Sequence, residues 1–394
     1  VTTKAETKSG VPVTYSFNSD NLVQGGAKTK FKANIEAIQT LQTIEAENRY
    51  ATPEEQAVMA KYVGWGGIPQ AFLSDRAADS IGGNLTNSAP TGWETEQQQL
   101  REILPPDEYK AARASTLTSF YTPPEITDGV YQALSQFGFN GGNVLEPSMG
   151  VGNFFAKMPS DIRDNSKLYG VELDSISGRI AKQLYPQDKI QIKGFEQTNF
   201  NNNSFDVVVG NIPFGDYRVS DKSYDKHNFK IHDYFAAKAV DKVKPNGVVA
   251  LVTSKFTMDK HNEKARRYLA ERCDLLGAIR LPNNAFKQNA GAEVTTDILF
   301  LKKRETMTVE VPDWVHMSET SDGIPCNQYF VDNPDMVLGK MAWDERMKGK
   351  YGDDSKITAC IADDNISLAE QIKKAVSKIE GSIETVKDNP EKDE

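Results

Sequence analysis

The sequence predicts an α/β protein with a doubly wound, mostly parallel, seven-stranded Rossmann-like sheet and a helical subdomain before it. Short apolar runs alternate with amphipathic helical stretches between residues 122 and 301, as in chains that form βαβ units. The run at 205–209, which ends in three valines, is typical of a parallel strand buried on both faces. Polar or glycine residues follow the predicted strands, and parallel strands bring such residues together at one edge of a sheet.

Local patterns divide the chain of 394 residues into four predicted regions. Residues 1–29 are polar and rich in Gly, Ser and Thr, which predicts a disordered or extended leader. Residues 30–115 combine helical apolar spacing with Thr-Pro-Glu-Glu at 52–55, a pattern that begins helices, and predict a helical N-terminal subdomain. The sheet domain is predicted over 116–305, and an acidic C-terminal extension or linker over 306–394.

The first half of the predicted sheet domain begins with a helix. Thr-Pro-Pro-Glu at 122–125 repeats the helix-start pattern, and apolar residues follow it at helical spacing. A short apolar strand is predicted at 143–147, and a Gly-x-Gly turn at 150–152 leads from it into the next helix. Residues 168–173 form the second predicted strand, and a helix up to Tyr185 follows it.

The second half continues the alternation of strand and helix. Residues 189–195 form the third predicted strand, and the fourth, at 205–210, stops abruptly at an Asn-Ile-Pro-Phe turn. The helix predicted at 232–243 is followed by Lys-Pro-Asn-Gly, which ends helices. The remaining predicted elements are a strand at 248–253, a helix around 260–272, and strands around 275–280 and at 295–301.

The charges are unevenly distributed along the chain. It contains 46 Lys and Arg residues against 55 Asp and Glu. Residues 306–394 hold 10 of the basic and 19 of the acidic residues, which leaves 36 of each in 1–305. Neither part has the strongly basic balance of proteins that hold nucleic acid mainly through its phosphates. Any DNA contact is therefore expected to be local or to be supplied by another chain.

The cysteines and the apolar runs predict a cytoplasmic protein without a metal. Cys273, Cys326 and Cys360 lie far apart without metal-ligand spacing, which favours a reducing compartment over disulfides or a zinc site. No apolar run reaches membrane-spanning length, and no signal-peptide pattern is present. The sequence begins with Val1 rather than Met and ends in a charged polar stretch, so we expect a piece of a longer polypeptide.

A set of glycines and acids after the first three predicted strands predicts a cofactor. Gly150 and Gly152 would let the backbone approach a ligand closely, but the third glycine of a dinucleotide fingerprint is missing. Glu172 is placed to accept hydrogen bonds from two ribose hydroxyls. Glu146 would repel a pyrophosphate but can hold an ammonium, and Glu196 can accept a hydrogen bond from an adenine amino group. Together these features favour S-adenosylmethionine over NAD.

The turn after the fourth strand predicts the substrate group. It offers the side-chain oxygen of Asn211, the carbonyl oxygen of Ile212, which Pro213 follows, and the ring of Phe214. Two acceptors beside an aromatic ring suit a planar substrate with an exocyclic amino group, such as adenine with its N6. On this motif alone, an ordinary strand followed by an Asn-Pro turn remains an open interpretation.

Several segments resemble, in this order, the motifs of the gamma group of DNA methyltransferases that modify adenine N6. These are Phe-Tyr-Thr-Pro-Pro-Glu at 120–125, Val-Leu-Glu-Pro-Ser-Met-Gly-Val-Gly at 144–152, Gly-Val-Glu-Leu-Asp at 170–174 and Asn-Ile-Pro-Phe at 211–214. Trp-Gly-Gly at 65–67 and Ala-Ile-Arg-Leu-Pro-Asn-Asn-Ala-Phe at 278–286 further resemble the methylase segment of very large helicase-methylase proteins of phages and conjugative elements. The resemblance covers about residues 30–305. Ile212 stands where that family has Pro, and Glu196 stands where Asp is commoner.

The resemblance implies a site-specific, S-adenosylmethionine-dependent adenine DNA methyltransferase with a methyltransferase sheet. DNA would be the substrate, and the helicase region of a larger polypeptide would be a partner. The implied cofactor-binding residues are Tyr121, Thr122 and Pro123 at the methionine end, Glu146 for the ammonium, Pro147, Gly150, Gly152, Glu172 for the ribose, Leu173 for the adenine face and Glu196 for the adenine amino group. The implied catalytic and base-binding residues are Asn211, Ile212, Pro213 and Phe214, with Phe286 closing the second face of the target base.

Two other functions remain open at this stage. Methylation of a protein glutamine amide uses the same logic on another planar amino group. A catalytically weak or inactive module could instead serve DNA docking or scaffolding within a larger helicase-methylase protein. The nature of the methylated product separates adenine methylation from glutamine methylation. Loss of turnover with retained cofactor binding would identify the docking or scaffolding module.

Some individual residues also have ordinary structural interpretations. Thr122 can be a helix cap and Phe286 can be core, while Tyr234 and Phe235 are predicted to pack on a helix face. The basic residues Lys260, Lys264, Arg266 and Arg267 are typical of a solvated helix face, although they could flank a DNA groove together with Lys222, Lys226 and Lys230.

Overall fold

The fold is centred on a seven-stranded sheet. The computed structural model describes residues 8–19, 22–23, 25–72, 92–116, 121–286, 293–344, 357–363 and 365–384, so Phe120 of the first motif lies outside the described residues. The sheet strands are β1 (Asn143–Glu146), β2 (Lys167–Glu172), β3 (Lys189–Ile192), β4 (Phe205–Asn211), β5 (Val243–Ser254), β6 (Cys273–Leu281) and β7 (Thr296–Lys303).

The strand order is β3-β2-β1-β4-β5-β7-β6. All neighbours pair in parallel except β7, which runs antiparallel to both β5 and β6. This arrangement confirms the predicted doubly wound, mostly parallel, seven-stranded sheet. The chain builds outward from β1 to β3 and then returns to start β4 on the other side of β1. Such a reversal opens a crevice at the carboxyl ends of the central strands.

Strand β4 lies at the centre because nothing polar interrupts its middle. Val207, Val208 and Val209 are fully buried, as expected for a parallel strand covered on both faces. It pairs with β1 on one side and β5 on the other, and its last residue, Asn211, is in register with Val252 of β5. The polar last residue of β4, Asn211, therefore lies at the crevice.

Helices cover both faces of the sheet and form a layer at the N-terminal end. They are α1 (Ala27–Ala46), α2 (Pro53–Met59), α3 (Glu94–Ile103), α4 (Pro106–Ser115), α5 (Pro124–Gln136), α6 (Asn153–Lys157), α7 (Ser160–Asp164), α8 (Ser175–Leu184), α9 (Ile231–Lys242), α10 (Phe256–Asp259), α11 (Lys264–Arg272), α12 (Gln328–Asp332) and α13 (Leu368–Val376). Thr52 and Glu55 form the capping box that starts α2, as the sequence predicts.

The described part of the leader is extended and bound to the protein. Ser9 forms a β-bridge with Arg49, and the Tyr15 amide donates to the carbonyl oxygen of Leu184 at 2.8 Å. The Gln56 side chain donates to the carbonyl oxygen of Val13 at 2.6 Å. These bonds attach the leader to α2 and to the end of α8.

The described residues after 305 are folded against the sheet, whereas the sequence predicted only an acidic extension or linker. They include two antiparallel strand pairs, β8 (Met317–Glu319) with β9 (Pro325–Asn327) and β10 (Lys340–Trp343) with β11 (Thr358–Ile361). The Leu338 amide donates to the carbonyl oxygen of Arg280 in β6 at 2.9 Å. Helix α13 packs on α5, where a side chain in place of Gly129 would overlap Ile372.

Candidate active site

A cavity of about 530 Å³ lies at the carboxyl ends of β1, β2, β3 and β4. It brings together most of the site residues that the sequence predicts, although they are spread over some ninety positions. The predicted residues that line it are Tyr121, Thr122, Glu146, Pro147, Gly150, Glu172, Leu173, Glu196, Asn211, Ile212, Pro213 and Phe214. Pro123, Gly152 and Phe286 are not among the lining residues.

The glycine loop after β1 binds the carboxylate at the end of β2. Gly150 has a left-handed backbone (φ +57°), and its amide donates to Oε2 of Glu172 at 2.7 Å. The Asp174 amide donates to Oε1 of the same carboxylate, also at 2.7 Å. Each carboxylate oxygen still has a second lone pair for a ligand. Glu172 is therefore held in place, with acceptor capacity left toward the cavity.

Gly152 serves packing in this structure, which differs from the predicted ligand contact. Its backbone is also left-handed (φ +90°), but a Cβ at this position would overlap the ring of Tyr185. The Tyr185 hydroxyl donates to the carbonyl oxygen of Gly152 at 2.9 Å. The glycine is required because the turn must pass close to α8, and the cavity does not reach it.

Glu172 is poised to change its charge near neutral pH. Burial, and then the negative charge of Asp174, raise the pKa of Glu172 to about 7, although the backbone amides that bind the carboxylate oppose this shift. A ligand that donates hydrogen bonds to the carboxylate would favour the ionised form. Binding of such a ligand and loss of a proton are therefore coupled.

Glu146 is a buried acid, and one of its carboxylate oxygens has no hydrogen-bond partner among the described residues. Its side chain lines the cavity at only 2% exposure, and its Oε2 has no hydrogen-bond partner among the described residues. Burial, and then the charge of Glu172, raise the pKa of Glu146 well above its usual range. A positively charged group in the cavity would satisfy this oxygen and reverse the shift. The donor set therefore fits the ammonium of an amino-acid moiety.

The backbone of the 211–214 turn is fixed from two sides. The hydroxyl of Ser148, in the loop after β1, donates to the carbonyl oxygen of Asn211 at 2.8 Å. The Ile212 amide donates to the carbonyl oxygen of Val252 at 3.0 Å. Pro213 then removes the next backbone donor from the turn. The Asn211 side chain and the Ile212 carbonyl are thus carried on a rigid support in the cavity wall.

The cavity also has an apolar side. Leu173 is 73% exposed although it is a large aliphatic residue in a structured loop, and Ile231 and Phe235 of α9 line the same cavity. Apolar surfaces at a cavity wall suit the face of a planar ring. Tyr234 faces away and donates its hydroxyl to Asp221, so of the two aromatic residues predicted to pack on α9 only Phe235 reaches the cavity.

Phe286 lies in the core, whereas Thr122, at the start of the 122–125 pattern, lines the cavity. Phe286 is fully buried (0% exposed), so in this structure it cannot stack on a base, and the core interpretation describes it. Helix α5 has no side-chain cap hydrogen bond; Pro123 occupies its N-cap position and Thr122 lines the cavity.

Sequence reasoning missed several parts of the cavity wall. Small residues spaced three and four apart give α4 a smooth face toward it, and the turn after α2 supplies another section. The missed lining residues are Tyr62, Val63, Gly64, Ala111, Ala114, Ser115, Ser148, Met149, Val151, Asn153, Asp174, Ser177, Lys193, Gly194, Phe195, Tyr217, Val219, Ile231 and Phe235. The spacing on α4 was visible in the sequence, but it does not reveal what that face contacts.

The basic residues that the sequence suggests for a DNA groove fall into two groups. Arg266 is buried and donates to the carbonyl oxygens of Val315 and Lys260, so it supports the fold. Ion pairs also engage Lys260 with Asp233, Arg267 with Glu263, and Lys230 with Asp216. Exposed lysines without an ion pair to a described residue remain at 222, 226 and 264.

The strand order, with β7 antiparallel, and the cavity at the carboxyl ends of the central strands are those of the α/β methyltransferase fold. The sequence model of the family "N-6 DNA Methylase" matches residues 107–325, more than half of the chain. The chain belongs to the N-6 DNA Methylase family.

Known proteins with similar sequences include modification enzymes. The chain is 33% identical over 249 residues to the Defense against restriction protein B of Escherichia phage P1. The aligned region covers 62% of this chain and 11% of that protein. It is 24% identical over 237 residues to the Type I restriction enzyme EcoEI methylase subunit of Escherichia coli, covering 54% and 47%. The chain thus spans less than half the length of either relative.

Among solved structures, the type I restriction-modification system methyltransferase subunit from Streptococcus thermophilus aligns with a TM-score of 0.40 and 18% identity. The alignment covers 74% of this chain and 68% of that one. In the part of the chain that the structure describes, no helix is long and apolar enough to cross a membrane. Within the same residues, no group of three or more His, Cys, Asp or Glu side chains is arranged to hold a metal ion.

Proposed function

We propose that this chain transfers a methyl group from S-adenosylmethionine to the N6 amino group of adenine in DNA. The observation that carries the proposal is that the 211–214 turn lines the same cavity as the acids Glu146, Glu172 and Glu196. A cofactor and a planar amino group could therefore meet within one site. Membership of the N-6 DNA Methylase family supports both the amino group and DNA as the substrate.

The cofactor would be held along the wall from Tyr121 to Glu196. Glu146 would bind its ammonium, Glu172 would accept hydrogen bonds from its ribose, and Leu173 would cover one face of its adenine. Glu196 would accept from the adenine amino group, while Tyr121 and Thr122 would border the methionine end. When bound, S-adenosylmethionine supplies an electrophilic methyl group on a sulfonium.

The 211–214 turn would activate the target amino group. The N6 lone pair is delocalised into the purine ring and attacks poorly while the group stays planar. Hydrogen bonds from its two N–H groups to Asn211 Oδ1 and to the Ile212 carbonyl oxygen favour a pyramidal nitrogen. These bonds strengthen as positive charge develops on N6, so they stabilise mainly the transition state. The nitrogen would gain the methyl group as the sulfonium–methyl bond breaks, which leaves S-adenosylhomocysteine as the product. One N6 proton would pass to solvent, and no covalent intermediate on the protein is required.

The target adenine must leave the duplex, because base pairing occupies N6. Extrusion of a base costs a few kcal/mol, which is partly offset when the base stacks on an aromatic ring. Phe214 lines the cavity next to Asn211 and is the aromatic residue that we assign to this contact.

We further propose that the chain acts as the methylase part of a larger helicase-methylase protein of a mobile genetic element. The identity of 33% to a phage protein, of which the chain spans 11%, supports this context. Helicase regions of the same polypeptide would then supply DNA contacts that the neutral charge of residues 1–305 does not provide.

The proposed activity is tested by incubating the chain with methyl-labelled S-adenosylmethionine and unmethylated DNA, followed by nucleoside analysis. We expect the label in N6-methyladenine. Label in glutamine of an added protein extract, with none in DNA, would indicate a glutamine methyltransferase. Cofactor binding without any transfer would instead point to a docking or scaffolding module.

Cofactor affinity is expected to rise with pH through about 7. A carboxyl with the pKa of Glu172, about 7, is mostly protonated at pH 6 and mostly ionised at pH 8, and the ionised form is the better acceptor for ribose hydroxyls. The dissociation constant of S-adenosylhomocysteine, measured by calorimetry, should fall about tenfold between these pH values. The variant Glu172→Gln should bind more weakly, and the pH dependence due to this group should be lost. An unchanged pH profile in the variant would contradict the assignment.

The three exposed lysines without an ion pair to a described residue are expected to contact DNA phosphates. Single substitutions Lys222→Ala, Lys226→Ala and Lys264→Ala should each weaken DNA binding several-fold at low salt. Each should also reduce the slope of log K against log salt concentration by about 0.9, the value for one phosphate contact. Lys182→Ala, at an exposed position on α8 that likewise has no ion pair to a described residue, is the matched control and should leave the slope unchanged. Equal slopes in all four variants would place the DNA elsewhere.

A further inference from the structure

The cavity wall is not built from the family-matched region alone. The turn at 62–67, which follows α2, brings Tyr62, Val63 and Gly64 to the cavity. This turn precedes residue 107, where the match to the family begins. It contains the Trp-Gly-Gly motif at 65–67, to which the proposed chemistry assigns no role.

The turn is held in one position by buried contacts. The side chain of Asn34 in α1, which is fully buried, donates to the carbonyl oxygen of Gly64 at 2.6 Å and accepts from the Val63 amide at 2.9 Å. Gly64 has a left-handed backbone (φ +69°), which suits glycine. Trp65 is buried and packs edge-on against Phe72, with ring centroids 5.4 Å apart. The side chains of the subdomain thus fix the turn as a wall rather than a free loop.

The turn lies at the ribose and adenine end of the proposed cofactor site. Burial, and then the nearby carboxylate of Asp174, raise the pKa of Tyr62 well above its usual range, so the hydroxyl remains neutral beside that acid. Asp174 caps α8 by accepting from the amide and hydroxyl of Ser177, at 2.8 and 2.6 Å. The Asp174 amide in turn donates to Glu172. Tyr62 therefore lines the cavity within electrostatic reach of Asp174, which is hydrogen-bonded to the carboxylate that we assign to the ribose.

We propose that the 62–67 turn is a part of the cofactor site that determines how tightly the adenosine moiety is bound. This inference rests on the proposed function. Val63 and Gly64 line the same cavity as Glu172 and Leu173 with small, uncharged groups, and Ala111 and Ala114 of α4 line it as well. The Trp-Gly-Gly motif then has a physical role, which is to hold the wall at the distance of a nucleoside.

The test compares adenosine with S-adenosylhomocysteine, because the two ligands share only the nucleoside end. Val63→Trp fills the cavity at the turn and should weaken binding of both ligands at least tenfold. Tyr121→Ala, at the other end, should weaken binding of S-adenosylhomocysteine and leave that of adenosine within twofold. Val11→Trp places the same side chain at a position that is 78% exposed and outside the cavity lining, and it should change neither affinity.

Hydrogen exchange on the wild-type chain gives a second readout that a purely structural turn would not produce. Backbone amides at 63–65 should exchange more slowly when adenosine is bound, whereas amides of the exposed leader around Val11 should not respond. If Val63→Trp lowers the melting temperature strongly, the ligand affinities of Val63→Ala and the exchange data replace it as the test of this inference. Failure of the wild-type chain to bind S-adenosylhomocysteine would overturn the proposed function. The wild-type chain could instead bind the ligand while the Val63 variants keep the same affinity and the amides at 63–65 are not protected. That result would overturn only this inference.

Discussion

Substitution of Asn211 by alanine is expected to lower kcat for methyl transfer to adenine by about 10²–10³-fold, the usual effect of removing one preorganised group that stabilises transition-state charge. The side chain of Asn211 would accept a hydrogen bond from the target amino group, whereas the cofactor would be held by the acids at the ends of β1, β2 and β3. The dissociation constant of S-adenosylmethionine should therefore change less than twofold. Single-turnover transfer to DNA and calorimetry measure the two quantities separately.

The matched control is Asn199→Ala, at an exposed position outside the cavity lining. It should leave both kcat and cofactor affinity unchanged. A loss of cofactor binding in Asn211→Ala, equal to its loss of activity, would mean that this residue supports the cofactor. An active Asn211→Ala variant would contradict the assignment of the 211–214 turn to the target base.

Substitution of Asp297 by alanine is expected to lower the free energy of unfolding by about 3–5 kcal/mol, because it leaves a buried guanidinium without its main partner. Arg280 is fully buried (0% exposed), and its Nε and Nη2 donate to the two carboxylate oxygens of Asp297, each at 2.9 Å. Asp259 accepts a third bond from Arg280 at 2.7 Å and cannot replace the bidentate pair. Urea unfolding followed by circular dichroism measures the change.

The matched control for this prediction is Asp322→Ala. Asp322 is exposed and lies 3.7 Å from the exposed Lys340, and such surface pairs contribute little to stability. We expect its unfolding midpoint to match that of the wild-type chain. If Asp297→Ala unfolds at the same urea concentration as the control, the buried pair does not stabilise the sheet in the way proposed.

Most of the sheet could be predicted because its strands are short apolar runs with clear ends. The valines of β4 and the abrupt turn after Asn211 leave little choice for a chain that must bury both faces of a parallel strand. Once the strands are parallel, the acids that follow them meet at one edge without further assumptions. That is why residues as distant as Glu146 and Asn211 were predicted together and are found in one cavity.

The less predictable features depend on packing between distant segments. A glycine required for a close approach to Tyr185, as at Gly152, has the same sequence signature as one required for a ligand. Phe286 follows a strand just as a site residue would, and only the tertiary contacts decide that it points into the core. The wall residues Val63 and Gly64 lie more than a hundred positions before Glu172, and no periodic pattern relates the two segments.

The folded region after residue 305 could not be predicted for a different reason. Its acidic composition is typical of solvated segments, and its strands are only three or four residues long. Such strands give no period-two signal, because their stability comes from the surface on which they lie. The buried Arg280, which lies against the ring of Phe330 at 4.2 Å from the ring centroid, belongs to that surface.

The packing of α13 on α5 has a consequence for folding of the chain during translation. The side chain of Gln136 in α5 donates to the carbonyl oxygen of Ile379, 243 residues later in the chain. At translation rates of roughly 5–20 residues per second, this interval corresponds to about 12–50 s, during which the outer face of α5 has no final neighbour. The growing chain can pair its first strands during that time, but this face of α5 is not covered until the residues around Ile379 have been synthesised. Chaperones that bind exposed apolar helices would find their target in this interval.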